Sequence, residues 1–200
     1  MKLTIPNQLT LLRIMLIPFF LYYFTQSGMT QKLTGTILFF LAAATDWYDG
    51  YIARRFNIIT RWGQFMDPLA DKLLISAALI AFSWIKLLQW WMVIAIITRD
   101  VLITSLRLFA LHMGKSIVTS MLAKWKTFLQ MTAIFIFLIF LNFPQASIYE
   151  MKNLPPSYTF WTTLMFLFVT FFTLLTGFQY LIENRKHLLE IFRRIFKLFG

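Results

Sequence analysis

Six apolar stretches, near residues 5 to 25, 33 to 52, 70 to 86, 90 to 112, 123 to 143 and 160 to 182, follow one another along the chain with short connections between them. Each approaches the roughly 20 residues an α-helix needs to cross a bilayer core. Hydrophobic residues make up 59% of the chain, with phenylalanine at 23 positions, which excludes an ordinary soluble domain. The expected fold is therefore an all-α integral membrane protein with six transmembrane helices in one bundle. The absence of cysteine excludes disulfides and thiolate metal sites. The first apolar run reads as retained rather than cleaved, because Arg13 interrupts it, Pro18 follows, and no small-residue cleavage site precedes Gln26-Ser27-Gly28. Without an internal repeat or low-complexity segment, residues 1–182 read as one membrane domain and residues 183–200 as a basic tail.

The cations orient the bundle. One set of connections holds Lys2, Arg54, Arg55, Arg61, Lys72, Lys115, Lys124, Lys126 and the tail's Arg185, Lys186, Arg193, Arg194 and Lys197; the other holds Lys32, Lys86 and Lys152. By the positive-inside rule both termini and the 46–72 and 113–126 regions face the cytoplasm. The formal charge of +11 does not point to nucleic acid, since the cations lie in short connections with no soluble reading module to carry them. In the tail, Leu188, Ile191, Phe192, Ile195, Phe196 and Phe199 fall near one helical face, which suits an anionic leaflet. Trp90, Trp91 and Trp161 read as interfacial anchors, His112 and His187 as interfacial residues, and the phenylalanines mostly as lipid-facing bulk.

Only 8 residues are acidic, yet Asp46, Asp49, Asp67 and Asp71 crowd into one stretch. Carboxylates near a membrane are costly and mark polar cavities. Asp46 and Asp49 are three apart at the end of the second span, and Asp67 and Asp71 four apart at the start of the third, so each pair shares a helical face. If the two spans pack as neighbours, the faces form a box of oxygen donors. Hard carboxylates without His or Cys favour Mg²⁺ or Mn²⁺, and four of them suit two ions. Gly50, Ala53 and Gly63 allow a ligand close to the backbone, and Arg54, one turn past Gly50, can hold a phosphate oxygen.

Taken together, Asp46-x-x-Asp49-Gly50-x-x-Ala53-Arg54, eight residues, Gly63-x-x-x-Asp67-x-x-x-Asp71 matches the signature of the CDP-alcohol phosphotransferases without departure. The resemblance implies a six-helix membrane enzyme, usually a homodimer, that moves a CDP-linked phosphatidyl or similar group onto an alcohol and releases CMP. It implies that Asp46, Asp49 and Asp67 bind one metal, that Asp46, Asp67 and Asp71 bind the second, and that Asp71 is also the general base. Asp49, Gly50, Ala53, Arg54 and Gly63 would line the CDP site, joined by Asn7 and Thr10 at the start of the first span. For Pro6 and Asn7 a helix-capping role is the competing expectation, and Arg13 reads as a phosphate partner or a snorkelling cation.

The flanks "IPNQLTLLRI", "MDPLADKLL" and "LAKWKTFLQ" are similar to the branch of that family that makes phosphatidylglycerophosphate from CDP-diacylglycerol and sn-glycerol 3-phosphate. A dianionic acceptor demands cations, and Arg99, Arg107, Lys124 and Lys126 are the candidates for its phosphate. For Arg99 the competing expectation is pairing with Asp100 or snorkelling, in a place where the branch often has Arg followed by Glu. Membrane lipid is the expected surround, in a bacterial inner membrane, with the active site toward the cytoplasm. Competing expectations are the same reaction with inositol phosphate, serine or an aminoalcohol, and a divalent-cation transporter, against which the absence of a repeat argues.

Overall fold

The computed structural model describes residues 4–56, 61–112, 121–142 and 156–185, which form six helices. They are α1 (Ile5–Phe24), α2 (Met29–Arg55), α3 (Arg61–Trp84), α4 (Trp90–His112), α5 (Met121–Phe140) and α6 (Pro156–Glu183). All six expected spans coincide with a helix. The main departure is at α3, which begins well before the apolar run at residue 70, because its first turns are polar and hydropathy does not register them. By length and composition α1, α5 and α6 are apolar enough to cross a membrane. Charged residues within α2, α3 and α4 dilute their hydropathy. An all-helical protein with such apolar spans is a membrane protein.

Local chemistry explains the helix ends. Pro6 lies in the first turn of α1, where its missing N–H would have had no partner, and Thr4 occupies the cap. Asn7 is thus inside the helix, contrary to the capping expectation. At the end of α3 the Leu87 N–H donates to the Phe82 carbonyl at 2.9 Å and the Lys86 N–H to that of Ser83 at 3.0 Å. This is a Schellman turn, with Lys86 at a φ of 62° in the place usually taken by glycine.

Packing places α1 at the centre of the N-terminal half. It makes its largest interface with α2 and a second with α3, while α2 and α3 touch each other only slightly. The expected direct meeting of the α2 and α3 faces is therefore mediated by a third helix. Close approach of α1 and α2 depends on Gly35, where an added Cβ would lie 2.8 Å from the backbone nitrogen of Phe24. Beyond it, Phe20, Phe24, Phe39, Phe82, Phe137 and Phe166 form a buried aromatic cluster joining α1, α2, α3, α5 and α6, with neighbouring ring centroids 5.3 to 6.1 Å apart. These rings are core. Phe19, Phe128, Phe168, Phe171 and Phe178 face outward as expected of lipid-facing bulk.

Helices α4, α5 and α6 complete the bundle, α6 packing on both α4 and α5. The buried stripe of α5 runs Lys126, Gln130, Ala133, Ile134, Phe137, Leu138, at the three- and four-residue steps of one helical face. Its polar end and its apolar end follow the same division as α1, whose buried face reads Asn7, Thr10, Arg13, then Phe20 and Phe24. Along both α1 and α5, buried polar side chains thus occupy one end of the helix and buried aromatic ones the other.

Candidate active site

Arg13 is fully buried. Its Nη1 lies 2.7 Å from Asp46 Oδ1 and its Nη2 2.5 Å from Asp49 Oδ2, so one guanidinium from α1 spans both carboxylates of α2. One turn earlier, Thr10 Oγ1 donates to Asp67 Oδ1 of α3 at 2.7 Å, with the Pro6 carbonyl also near at 3.1 Å. The step of three from Asn7 to Thr10 to Arg13 puts all three on one face of α1. That face is the wedge joining the two aspartate pairs.

Asp46 lies within electrostatic reach of the other three carboxylates, repelled by Asp71 and Asp67 and itself repelling Asp49, which Asp67 also repels. Among the described residues no three acidic or histidine side chains converge on a metal-binding point. Each carboxylate has a protein partner: Arg13 for Asp46 and Asp49, Thr10 for Asp67, and Lys72 for Asp71, with its Nζ 3.7 Å from Oδ2. As a donor set they fit hard divalent cations, being all oxygen, multiply anionic and mutually repelling. Pro68 follows Asp67 inside α3 and has no N–H, which leaves a carbonyl of the preceding turn without its helical donor.

Beside this anionic site lies a cationic one. Asp100 of α4, 3% exposed, has Lys126 Nζ at 2.5 Å and Arg99 Nη1 at 3.1 Å from Oδ1, and Lys72 Nζ 3.9 Å from Oδ2. Arg99 also donates from Nη2 to Thr176 Oγ1 of α6 at 3.1 Å. Gly177 makes room for it, since a Cβ there would lie 2.9 Å from Arg99 Cγ. In front of this cluster is a cavity of about 460 Å³ whose wall includes Lys72, Arg99, Arg107, Lys124, Thr127 and Tyr180. Among the described residues no carboxylate lines it. Four cations, with no carboxylate among the described residues of the wall, give it a positive potential of the kind that attracts small polyanions.

Of the residues expected to bind an acceptor phosphate, the fold brings Arg99, Arg107 and Lys124 to this cavity. Lys126 sits behind it, 1% exposed, as the counter-charge that a buried Asp100 requires. Arg99 pairs with Asp100 and lines the cavity at once, so the two expectations for it are compatible. Of the expected nucleotide residues, Asn7, Thr10, Asp49 and Gly63 are buried at the α1–α2–α3 junction and Gly50 is half-buried there. Ala53 and Arg54 belong to α2, and their side chains lie outside the described residues, as do Lys2, Lys115, Lys152 and the tail from residue 186. Sequence reasoning underrated Arg13 and Lys72. Their signals were there: an arginine in register with Asn7 and Thr10, and a lysine adjoining an aspartate just where α3 enters its apolar run.

Comparison with known proteins gives the same direction. The family model for CDP-alcohol phosphatidyltransferases matches residues 3–175. A Bacillus subtilis protein named CDP-diacylglycerol--glycerol-3-phosphate 3-phosphatidyltransferase is 38% identical over 192 residues, covering 90% of this chain and 94% of the relative. Proteins of the same name from Yersinia pestis, 40% identical over 136 residues (66% of this chain, 74% of the relative), and Salmonella paratyphi A, 38% identical over 139 residues (67% and 76%), also match. An uninterrupted aspartate signature on α2 and α3 and a family match over most of its length make this chain a member of the CDP-alcohol phosphatidyltransferase family.

Proposed function

We propose that this enzyme transfers the phosphatidyl group of CDP-diacylglycerol to sn-glycerol 3-phosphate, giving phosphatidylglycerophosphate and CMP. The observation that carries the reading is the juxtaposition of the two sites through Lys72, whose Nζ is 3.7 Å from Asp71 and which also lines the cation-walled cavity. A phosphate held in that cavity keeps the rest of its molecule beside Asp71. The names of the bacterial relatives support the same substrates.

In this mechanism Asp71 takes the proton of the acceptor hydroxyl, whose oxygen attacks the phosphorus bearing the diacylglycerol. The bond from that phosphorus to the bridging oxygen of CMP breaks, and CMP leaves with the electron pair. Asp46, Asp49, Asp67 and Asp71 would hold two Mg²⁺ or Mn²⁺ ions, which when bound neutralise the charge of the diphosphate. Arg13 keeps Asp46 and Asp49 aimed across α1, and Thr10 holds Asp67. Asn7, Gly50, Ala53, Arg54 and Gly63 line the nucleotide site. Arg99, Arg107 and Lys124 take the acceptor phosphate, with Lys72 completing the wall that faces Asp71.

The six helices of residues 1–182 cross the bacterial inner membrane with both ends and the site toward the cytoplasm. The tail of residues 183–200 lies on the anionic leaflet, and two copies assemble as a dimer. The test is CMP release by purified protein with CDP-diacylglycerol and Mg²⁺ or Mn²⁺, with and without sn-glycerol 3-phosphate. Release that needs both acceptor and metal is expected. Turnover with serine or inositol phosphate in place of sn-glycerol 3-phosphate would overturn the choice of acceptor.

A further inference from the structure

Tyr180, in the last turns of α6, is 1% exposed, and its hydroxyl has no hydrogen-bond partner among the described residues. It lines the cavity formed with Lys72, Arg99, Arg107 and Lys124. Arg99 Nε, in the same wall, is likewise buried without a partner among the described residues. Buried polar groups are nearly always paired, and the few left over in a native protein ask for a reason. Two unspent groups in one cavity share a reason.

The chemistry of the wall says what is missing. Lysine and arginine offer donors and no acceptor, so the four cations around Tyr180 cannot take its proton. An oxygen that accepts from a phenol, from Arg99 Nε and from ammonium groups together is an oxyanion with several lone pairs. The cavity, at about 460 Å³, falls in the range of small-molecule sites. Tyr180 also lies beyond residues 3–175, the part of the chain that the family model covers, so membership of the family assigns it no role.

We propose that Tyr180 determines acceptor specificity, its hydroxyl donating a hydrogen bond to the phosphate of the acceptor beside Arg99. The assignment rests on the reading of this cavity as the acceptor site. A phenol donor adds something the cations do not. Long cationic side chains attract any anion, whereas a rigid ring held by α6 fixes one oxygen at one place and favours a phosphate seated at a set depth. Acceptors without a phosphate gain nothing from the hydroxyl and lose out to those that pair it.

Tyr180→Phe removes one oxygen and little else. Its KM for sn-glycerol 3-phosphate is expected to rise roughly 10- to 100-fold, the usual worth of a hydrogen bond to a charged group. The KM for CDP-diacylglycerol should stay within about twofold, and the thermal midpoint without ligand should equal or exceed that of the wild type, because an unpaired buried hydroxyl has gone. An unchanged acceptor KM, or an equal rise in both KM values, overturns the proposal.

Inorganic phosphate separates this outcome from the choice of acceptor. It should raise the thermal midpoint of the wild type and do so much less in Tyr180→Phe. Equal shifts in the two proteins remove Tyr180 as a phosphate ligand, even if CMP release is normal. Should the wild type release no CMP with sn-glycerol 3-phosphate, the acceptor reading fails, and a phosphate shift confined to the wild type still upholds Tyr180 as the phosphate donor.

Discussion

Replacing Arg13 with alanine removes one guanidinium and strands two carboxylates, of which only one is buried: the Asp49 side chain is 5% exposed and that of Asp46 is 45% exposed. The Asp46 contact is screened by water and contributes at the scale of a surface pair, about 0–1 kcal/mol. Asp49 is left as a buried charge without its cation, a change that typically costs about 3–5 kcal/mol. The Asp49 term decides the outcome. For a chain of this size each kcal/mol moves the thermal midpoint by about 2–4 °C, so Arg13→Ala should unfold roughly 6–20 °C earlier in detergent and chelator.

Intrinsic fluorescence of the seven tryptophans reports the transition. A double-mutant cycle then isolates the pair. Asp49→Asn alone leaves Arg13 with Asp46 as its remaining carboxylate, and the double variant leaves no buried charge of the Arg13–Asp49 pair uncompensated, so its loss should fall short of the sum of the single losses by well over 0.5 kcal/mol, roughly the limit within which independent sites add. Simple additivity would refute the ion pair as the link between α1 and α2, as would an Arg13→Ala protein that melts with the wild type.

The remaining predictions concern chemistry and packing. Asp71→Asn should lower kcat by roughly 10²- to 10⁴-fold, the usual worth of a general base, with CDP-diacylglycerol binding largely kept; wild-type turnover in a steady-state CMP assay would remove Asp71 from that role. Asp100→Asn should release Lys126, Arg99 and Lys72 and raise the KM for sn-glycerol 3-phosphate far more than that for CDP-diacylglycerol. Asp100→Glu should restore part of the loss, and a purely structural Asp100 would show instead as a lowered melting point with both KM values unchanged. Chelation should abolish CMP release and Mn²⁺ or Mg²⁺ restore it, whereas activity that survives exhaustive chelation would exclude the metal-assisted step. Gly35→Ala should cost about 1–3 kcal/mol as overpacking, because its Cβ meets the backbone of Phe24 rather than a side chain that can swing aside; a melting point at the wild-type value would contradict the close α1–α2 approach.

Much of this architecture was legible in the sequence, and the particular residues explain why. The helices were readable because hydrophobic runs of membrane length leave little choice of backbone. The aspartates stood out because two short helical spacings of a scarce, costly residue are hard to place anywhere but at a site. Which helix lies between them was not legible, since contact between α1 and the two pairs depends on packing across long sequence separations. Arg13 is the instructive case: its charge was visible, but a single arginine in an apolar run does not say which carboxylate it faces. Tyr180 was hidden more thoroughly. An aromatic residue in a phenylalanine-rich span looks like lipid-facing bulk until burial and a bare hydroxyl distinguish it.

Two neighbouring residues of α3 connect the anionic and cationic sites, and the geometry of a helix makes that economical. Successive side chains project about 100° apart, so Asp71 and Lys72 can serve adjacent walls of the bundle from one rigid element. Asp100 then matters through its position on both counts: its Oδ2 lies 3.9 Å from Lys72 Nζ, which in turn lies 3.7 Å from Asp71. Lys72 is shared between a carboxylate of each site. Under the proposed reaction, an acceptor phosphate arriving in the cavity competes for Lys72 and draws it from Asp71, leaving that carboxylate freer to accept a proton when an acceptor is present. The consequence is measurable: Lys72→Met should raise the slow release of CMP to water relative to transfer, because acceptor binding would no longer govern the state of Asp71. An unchanged ratio of hydrolysis to transfer would show that the two sites act independently.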